Sequence, residues 1–495
     1  MEKLRLLEIH LENIQSVEHG TISFPDYAVM KKNPFDLEEF RGSILGIYGQ
    51  NGSGKTTVPL AVTALISFVT IGFAQPHPND PTNRLFHSFP HLLTKGADRG
   101  SIRLTCGLLR DERCYLLQYT ISLYSREGFG PAVEKETIRV QIYDEETGTY
   151  KLYLPELSVN YVNDTIDELY YDGIAHRKGK IGDFAPENAL GSVGPLLGRK
   201  YANASISMSF LFSQVYIQSL GNSDNQKRQD MAKFLSLLFT QFKENVFLYG
   251  PRNDALQNMG MGFILGGAKV QTDHGVYDTH GALPFNLPVT AKQAATYRSV
   301  TEQINVLLGA AVPGFKIKLL QQAIGKAPDG QSLYTLQWVR LLGKGEIPIS
   351  CESNGIQKLI HLSSALVLTS GNPSMWFFID EYDSGVYEQL LSQLVKSFLE
   401  VGKGQILFTA HNLRGLEILP TNHIVFATAN AKERFITFKG LKPSNNLRDQ
   451  YIRALTLGGQ SEPLLDQTSI ADIERAMQKA FTVYEDSSMG GKRGG

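Results

Sequence analysis

The sequence predicts an α/β fold built from a mixed central sheet, an antiparallel β part, and a mainly helical and loop-rich insertion lobe. Three observations predict it. The apolar run Ile44 to Tyr48 opens into the glycine-rich GIYGQNGSGKTT and then into an uncharged helical stretch, the strand-loop-helix order of an α/β unit. Residues 100–155 alternate as antiparallel strands do, with Ile102, Leu104, Cys106 and Leu108, then Ile138, Val140 and Ile142, at every second position. Residues 333–440 return to strand and helix in alternation, which argues for a parallel or mixed sheet.

At 495 residues, 42% hydrophobic and 20% charged, the chain can bury one large core or two, because domains usually run about 100–200 residues. A formal charge of −1 supplies no general attraction to nucleic acid or anionic membrane, so either partner would need a local patch. Cys106, Cys114 and Cys351 are too few and too scattered for a disulfide framework or a zinc cluster, and they fit a reducing cytoplasm. The opening MEKLRLLEIHLENIQ shows no apolar core of a signal peptide. Val58 to Ala74 carries no charge, but it contains Pro59 and Gly72, falls short of the ~20 residues of a spanning helix, and reads as a buried core helix.

Taken in chain order, residues 1–155 form the first half of the expected fold and residues 156–310 the insertion. Residues 311–455 form the second half, and 456–495 a C-terminal helix with the flexible tail SSMGGKRGG. The N-terminal segment alternates as a strand pair (Leu4, Leu6, Ile9, Leu11, then Gly20 to Phe24). A helix is expected from Ser223, with an S-x-x-Q start and the stripe Met231, Phe234, Leu235, Leu238 and Phe242. No sustained heptads and no internal repeat are present, so the insertion reads as a compact lobe.

Gly49-x-x-x-x-Gly54-Lys55-Thr56 fits a phosphate-binding loop. Glycines turn backbone N–H groups inward around phosphates, Lys55 reaches β and γ oxygens, and the Thr56 hydroxyl ligates Mg²⁺. The expected nucleotide contacts are Gly49, Gln50, Asn51, Gly52, Ser53, Gly54, Lys55, Thr56 and Thr57. If Pro59 lies beyond the first helical turn it removes one backbone bond. Met375 to Ile379 is a strand-length apolar run ending in Asp380 and Glu381, an acid placed for the Mg²⁺ shell followed by one placed to polarise water. Gly404 to Ala410 is a second such run, closed by His411 and Asn412, and His411 there can reach a γ-phosphate or the water. Each of these groups has a plainer reading, as a surface turn, a solvated strand end or a surface histidine. The helix CESNGIQKLIHLSSALVLTSGNP starts at Ser353-Asn354-Gly355, a turn that is either an anion site or an ordinary N-cap.

The order of phosphate loop, insertion, serine-glycine helix start, hydrophobic-Asp-Glu strand and strand-His resembles the ABC-type ATPases. Within them it resembles the branch holding the structural-maintenance-of-chromosomes (SMC), RecF and overcoming-lysogenisation-defect (OLD) proteins. LRLLEIHLENIQSVEHGTISF looks like that branch's first hairpin, and IDEYDSGVYEQLL like its strand-acid-loop-helix segment, so the likeness covers roughly residues 1–145 and 300–455. It implies ATP and Mg²⁺ as ligands, and a homodimer or higher homo-oligomer in which Ser353, Asn354 and Gly355 face the partner's nucleotide. Asp383 would lie in the loop that crosses that interface. It also implies a glutamine beside Mg²⁺, with Gln214 in FLFSQVYIQ the candidate and Gln218 the second. Asn354 stands where many relatives have a second glycine, and Tyr387 where the defence branch often has histidine.

Chains of this size without a coiled coil resemble the ATPase subunits of bacterial anti-phage systems such as PARIS and Septu, which implies a separate effector protein. After residue 420 no Toprim-like acids, metal-spaced Cys or His, or nuclease-type Arg–His pair occur, so the chemistry expected of the chain itself is ATP hydrolysis. Two other readings stay open. One is a DNA repair or recombination ATPase using Arg177, Lys178, Lys180, Arg199 and Lys200. The other is a slow, nucleotide-gated scaffold in which Glu381 acts as a timer.

Overall fold

The computed structural model describes residues 2–32, 41–70, 73–74, 91–126, 130–154, 156–163, 165–169, 176–181, 206–250, 269–272, 275–278, 289–327, 330–343, 345–412, 418–437 and 474–479. Alternating strands build a nine-stranded antiparallel sheet. Lys3–Ile14 pairs with Val17–Ser23 on one side and Arg99–Arg110 on the other. The order then runs Arg113–Arg126, Gly130–Asp144, Glu156–Asn160, Thr165–Leu169 and His176–Lys180, with Thr149–Leu152 beside Gly130–Asp144. A register shift between Leu6 and Glu8 re-phases the first strand, so that Leu4, Leu6, Ile9 and Leu11 all join one core with Ile102, Leu104, Cys106 and Leu108.

The continuous apolar runs build the second sheet. Its six strands lie in the order Val246–Tyr249, Trp376–Ile379, Gln405–Ala410, Ser43–Tyr48, Ile424–Ala427 and Phe435–Ile436, parallel except for the last. Both faces are covered, which is why these strands read as unbroken apolar runs. Leu45, Ile47 and Leu407 face the core shared with the antiparallel sheet, while Ile44, Tyr48, Ile406 and Phe408 face the helices Asn354–Gly371 and Glu388–Val401.

The helix Thr57–Thr70 lies in the core between the two sheets, which accounts for its missing charges. Each fully buried Val, Leu, Ile or Phe there contributes about 1.5–3 kcal/mol. Pro59 falls in the first turn, where an N–H has no intrahelical partner, and the Lys55 carbonyl accepts from Val58 N at 3.2 Å. Among the described residues no helix is long and apolar enough to cross a membrane.

Two expected boundaries do not coincide with breaks in the fold. The antiparallel sheet continues past 155 to Lys180, and Val246–Tyr249, within the expected insertion, is an edge strand of the parallel sheet. Long-range pairing overrode the change in sequence texture. The helix expected from Ser223 is capped instead by Asn225, whose Oδ1 accepts from Lys227 N at 2.9 Å and Arg228 N at 3.3 Å. Its apolar stripe Met231, Phe234, Leu235, Leu238 and Phe242 is buried as expected. The tail from residue 480, and Arg199 and Lys200, lie outside the described residues.

A buried polar joint ties the N-terminal strand to the second half. Arg5 bonds Asp26 at 2.8 Å, the Pro373 carbonyl at 2.9 Å and the Lys403 carbonyl at 2.5 Å, while Gln405 pairs with both backbone groups of Leu6 at 2.7 Å.

Candidate functional site

The parallel strands Ser43–Tyr48, Trp376–Ile379 and Gln405–Ala410 are neighbours, so the loops at their carboxyl ends converge although they lie far apart in sequence. The first is the glycine loop. Gly52 and Gly54 have φ of +82° and +87°, where side chains are disfavoured, and a Cβ on Gly54 would lie 2.8 Å from Ser16 Oγ. Lys55 folds back into this loop and donates to the Gly49 carbonyl at 2.7 Å and the Gln50 carbonyl at 2.6 Å, with His411 Nδ1 at 3.4 Å. Burial lowers its pKa to about 8, against the opposing pull of Asp380, Asp383 and Glu381. Thr57 Oγ1 donates to Gln15 Oε1 at 3.3 Å, fastening the loop's end to the first hairpin.

The acid strand delivers Asp380 to the loop. Thr56 Oγ1 donates to Asp380 Oδ1 at 3.2 Å, and Thr409 Oγ1 donates to the same oxygen. Asp380 is only 3% exposed, yet its Oδ2 is buried without a hydrogen-bond partner. A carboxylate oxygen left bare beside a threonine hydroxyl fits a divalent cation held by few protein oxygens, the usual mode for Mg²⁺. Glu381 follows with φ of +50°, an unfavourable value for a residue with a side chain. Three bonds hold that conformation: Glu381 N donates to Thr409 Oγ1 at 2.8 Å, and the Glu381 carbonyl accepts from Lys358 Nζ and from Ser384 N, the latter at 3.1 Å. Glu381 as a whole is partly exposed.

His411 and Asn412 follow the third strand. Their backbone N–H groups both donate to Asp383 Oδ2, the first at 2.8 Å, so Asp383 is engaged within its own chain. Asp383 Oδ1 is buried without a partner.

The helix Asn354–Gly371 begins where the sequence places it. Ser353 caps it, accepting from Ile356 N at 3.4 Å, and both Ser353 and Asn354 are exposed. Gly355 is required by a close approach, since a Cβ there would lie 2.2 Å from the Gly385 carbonyl. One turn on, the buried Lys358 bonds the Ser384 carbonyl at 2.9 Å as well as that of Glu381. The serine-glycine turn is thereby fastened to the loop that carries the acids.

Gln214 and Gln218 are exposed on the helix Gln214–Gly221, whose first turn is capped by Ser213. The structure thus brings together the glycine loop, Lys55, Thr56, Asp380, Glu381, Asp383 and His411, and joins Gly355 to them through Gly385, while Gln214 stands on a separate helix. Three positioning groups, Thr409, Lys358 and Gln15, escaped the sequence reading. Thr409, two residues before His411 at the end of a buried strand, is the one that its position could have betrayed.

A model of the AAA domain matches residues 8–192. No curated protein matches the chain. Among solved structures, one similar to this chain is the SmcHead bound to the C-winged helix domain of ScpA, at 11% identity and a TM-score of 0.39, covering 88% of this chain and 98% of that one. Another is an Smc head domain with an extended coiled coil bound to the C-terminal domain of ScpA, derived from Pyrococcus furiosus. It shows 11% identity and a TM-score of 0.34, covering 88% of this chain and 96% of that one. The segment matching the AAA domain holds the glycine loop with Lys55 and Thr56.

Proposed function

We propose that the chain binds and hydrolyses ATP with Mg²⁺, that two copies close around the nucleotide, and that this cycle makes it the sensor or regulator subunit of a separate effector in bacterial anti-phage defence. The observation that carries the ATPase reading is the meeting of Lys55, Thr56 and Asp380, with the Asp380 Oδ2 left bare in a buried site. Lys55 exchanges the Gly49 and Gln50 carbonyls for phosphate oxygens, and the glycine-loop N–H groups cradle the rest. Mg²⁺, held by Thr56 and Asp380 with Gln214 as a further contact, would neutralise charge on the β and γ phosphates. Glu381, fixed by Thr409 and Lys358, orients the attacking water and accepts its proton, aided by His411. Ser353, Asn354 and Gly355 form the exposed turn offered to the partner's nucleotide, and Asp383 is the group through which closure is felt at His411.

The test is ATP hydrolysis by the natural chain and by Lys55→Met, together with mass measurement in a non-hydrolysable ATP analogue. Hydrolysis that depends on Lys55 and a mass that doubles with the analogue are expected. Equal rates in the two proteins overturn the ATPase reading, and a monomer with its site filled overturns the shared site. Co-purification with the product of an adjacent gene tests the effector. Salt-dependent binding to duplex DNA would instead move the reading to a repair ATPase using Lys178 and Lys180, both exposed on the edge strand His176–Lys180.

A further inference from the structure

Glu136 lies fully buried in the antiparallel sheet, where a carboxylate has no place unless it is well supplied with donors. Five reach it. Oε2 accepts from Tyr119 OH at 2.8 Å and Ser209 Oγ at 2.6 Å, and Oε1 accepts from Tyr161 OH and from the backbone N–H groups of Phe210 and Leu211, both at 3.0 Å. Tyr119 belongs to the sheet, Tyr161 follows its strand Glu156–Asn160, and three donors belong to the segment Ser209–Leu211, so the carboxylate is a clasp between sheet and segment. The clasp extends in two directions. Ser209 N donates to the Phe68 carbonyl at 3.1 Å, which reaches the helix that follows the phosphate loop. Ser209 Oγ accepts from Phe212 N at 3.2 Å, and Ser213 Oγ donates to the Phe210 carbonyl at 2.7 Å while capping the helix that opens with Gln214. Burial raises the Glu136 pKa, and the bonds from Leu211, Ser209, Tyr161 and Tyr119 oppose the rise. A neutral apolar side chain would fill this space without any such requirement, so the donors' geometry is what the carboxylate secures.

We propose that Glu136 is a positioning residue for nucleotide hydrolysis: by clasping Ser209–Leu211 it fixes the turn that presents Gln214 relative to the phosphate-loop helix. The inference rests on the ATPase reading above and on Gln214 meeting Mg²⁺. Gln is the conservative replacement, because its carbonyl oxygen still accepts the two amides while the hydroxyls of Tyr119 and Ser209 can rotate to accept from its NH₂.

The experiment is a Mg²⁺ titration of ATP hydrolysis by the full chain and by Glu136→Ala, Glu136→Gln, Gln214→Ala and the pair Glu136→Ala with Gln214→Ala, with Lys55→Met as the blank. Half-saturation by Mg²⁺ should rise about tenfold in Glu136→Ala, the size expected when one or two charge-assisted hydrogen bonds are withdrawn. Glu136→Gln should restore it, and the double variant should be no worse than Gln214→Ala. Ser209→Ala, a milder cut in the same clasp, decides the matter if Glu136→Ala does not fold, and should shift the half-saturation the same way by a smaller factor. Hydrogen exchange at Leu211 should quicken in Glu136→Ala and stay slow in Glu136→Gln, whereas the Phe210 N–H also has Tyr161 OH at 2.8 Å. An unchanged Mg²⁺ dependence in folded Glu136→Ala or Ser209→Ala, or effects of Glu136→Ala and Gln214→Ala that multiply, would overturn the proposal. Activity of the natural chain no higher than the Lys55→Met blank would overturn the ATPase reading instead.

Discussion

Lys55 and Lys358 occupy matching places in the two glycine-bearing turns of the site. Each lies behind the turn at the start of a helix, 5% and 6% exposed, and each spends its ammonium on backbone carbonyls. The partners differ. Lys55 bonds carbonyls five and six residues away in its own loop, whereas Lys358 bonds carbonyls 23 and 26 residues away in the loop of the acids. A lysine closing its own loop can exchange those carbonyls for an incoming anion without disturbing another element. A lysine that joins two elements cannot, and its charge joins Thr409 and the Ser384 amide in holding Glu381 in a left-handed conformation that a side chain disfavours. The same ammonium-to-carbonyl chemistry thus closes a single loop in one turn and tethers two elements in the other, and under the proposed function only the first is open to a ligand.

The largest effect should come from Glu381→Gln, which caps whatever Lys358 can do through Glu381. The turnover rate should fall roughly 10²–10⁴-fold while ATP binding persists, as single-turnover kinetics beside equilibrium binding would report. Lys55→Met comes next, with kcat/KM down about 10²–10³-fold and ATP affinity lost with it, the size of one charged donor removed from a phosphate site. Retained affinity would break the contrast between the two lysines. Lys358→Met should lower kcat about 10-fold or more and leave the KM for ATP nearly unchanged, and added to Glu381→Gln it should cost nothing further. A KM effect equal to that of Lys55→Met would place Lys358 on the nucleotide.

The smallest effect is with pH. Lys55 in the free protein has its pKa lowered to about 8, against about 10.5 in the unfolded chain. Below pH 8 it is charged and ready for phosphate. Between 8 and 10.5 binding must take up a proton, so affinity should fall by at most about tenfold per pH unit. The unfolded chain binds more protons over that same window, so Lys55 adds to folding stability as pH rises through it and opposes folding below it. Binding titrations from pH 7 to 9.5 check the first statement, and the slope should be the same in Lys358→Met.

Much of the site was legible because its chemistry is local. A glycine loop needs its glycines at fixed spacing, and Gly52 and Gly54 do adopt the left-handed backbone that only glycine takes freely. An acid pair ending an apolar run announces a buried strand with a charged carboxyl end, and Asp380 is found there, 3.2 Å from Thr56. Ser353 caps the helix that starts at 354, one of the two roles its turn left open. Thr409, Lys358 and Glu136 were not legible, because each acts on groups 28, 23 and 73 residues away and nothing in the flanking residues marks the target. The carboxylate of Asp383 grips the amides of His411 and Asn412 in its own chain, a contact between the ends of two adjacent strands that its flanking residues do not mark. The expected break at residue 155 shows the same limit, since the strands beyond it continue the antiparallel sheet through partners that only folding selects.

By itself the sequence determined which strands are buried on both faces, where the phosphate loop turns, and which acids and histidine stand at strand ends, since these follow from side-chain hydrophobicity and backbone freedom over a few residues. The tertiary structure decided which strand neighbours which, and with it the meeting of Thr56 with Asp380, the tether from Lys358 to Glu381 and the clasp at Glu136. Those contacts form between groups that only the order of strands in the sheets brings within hydrogen-bond reach.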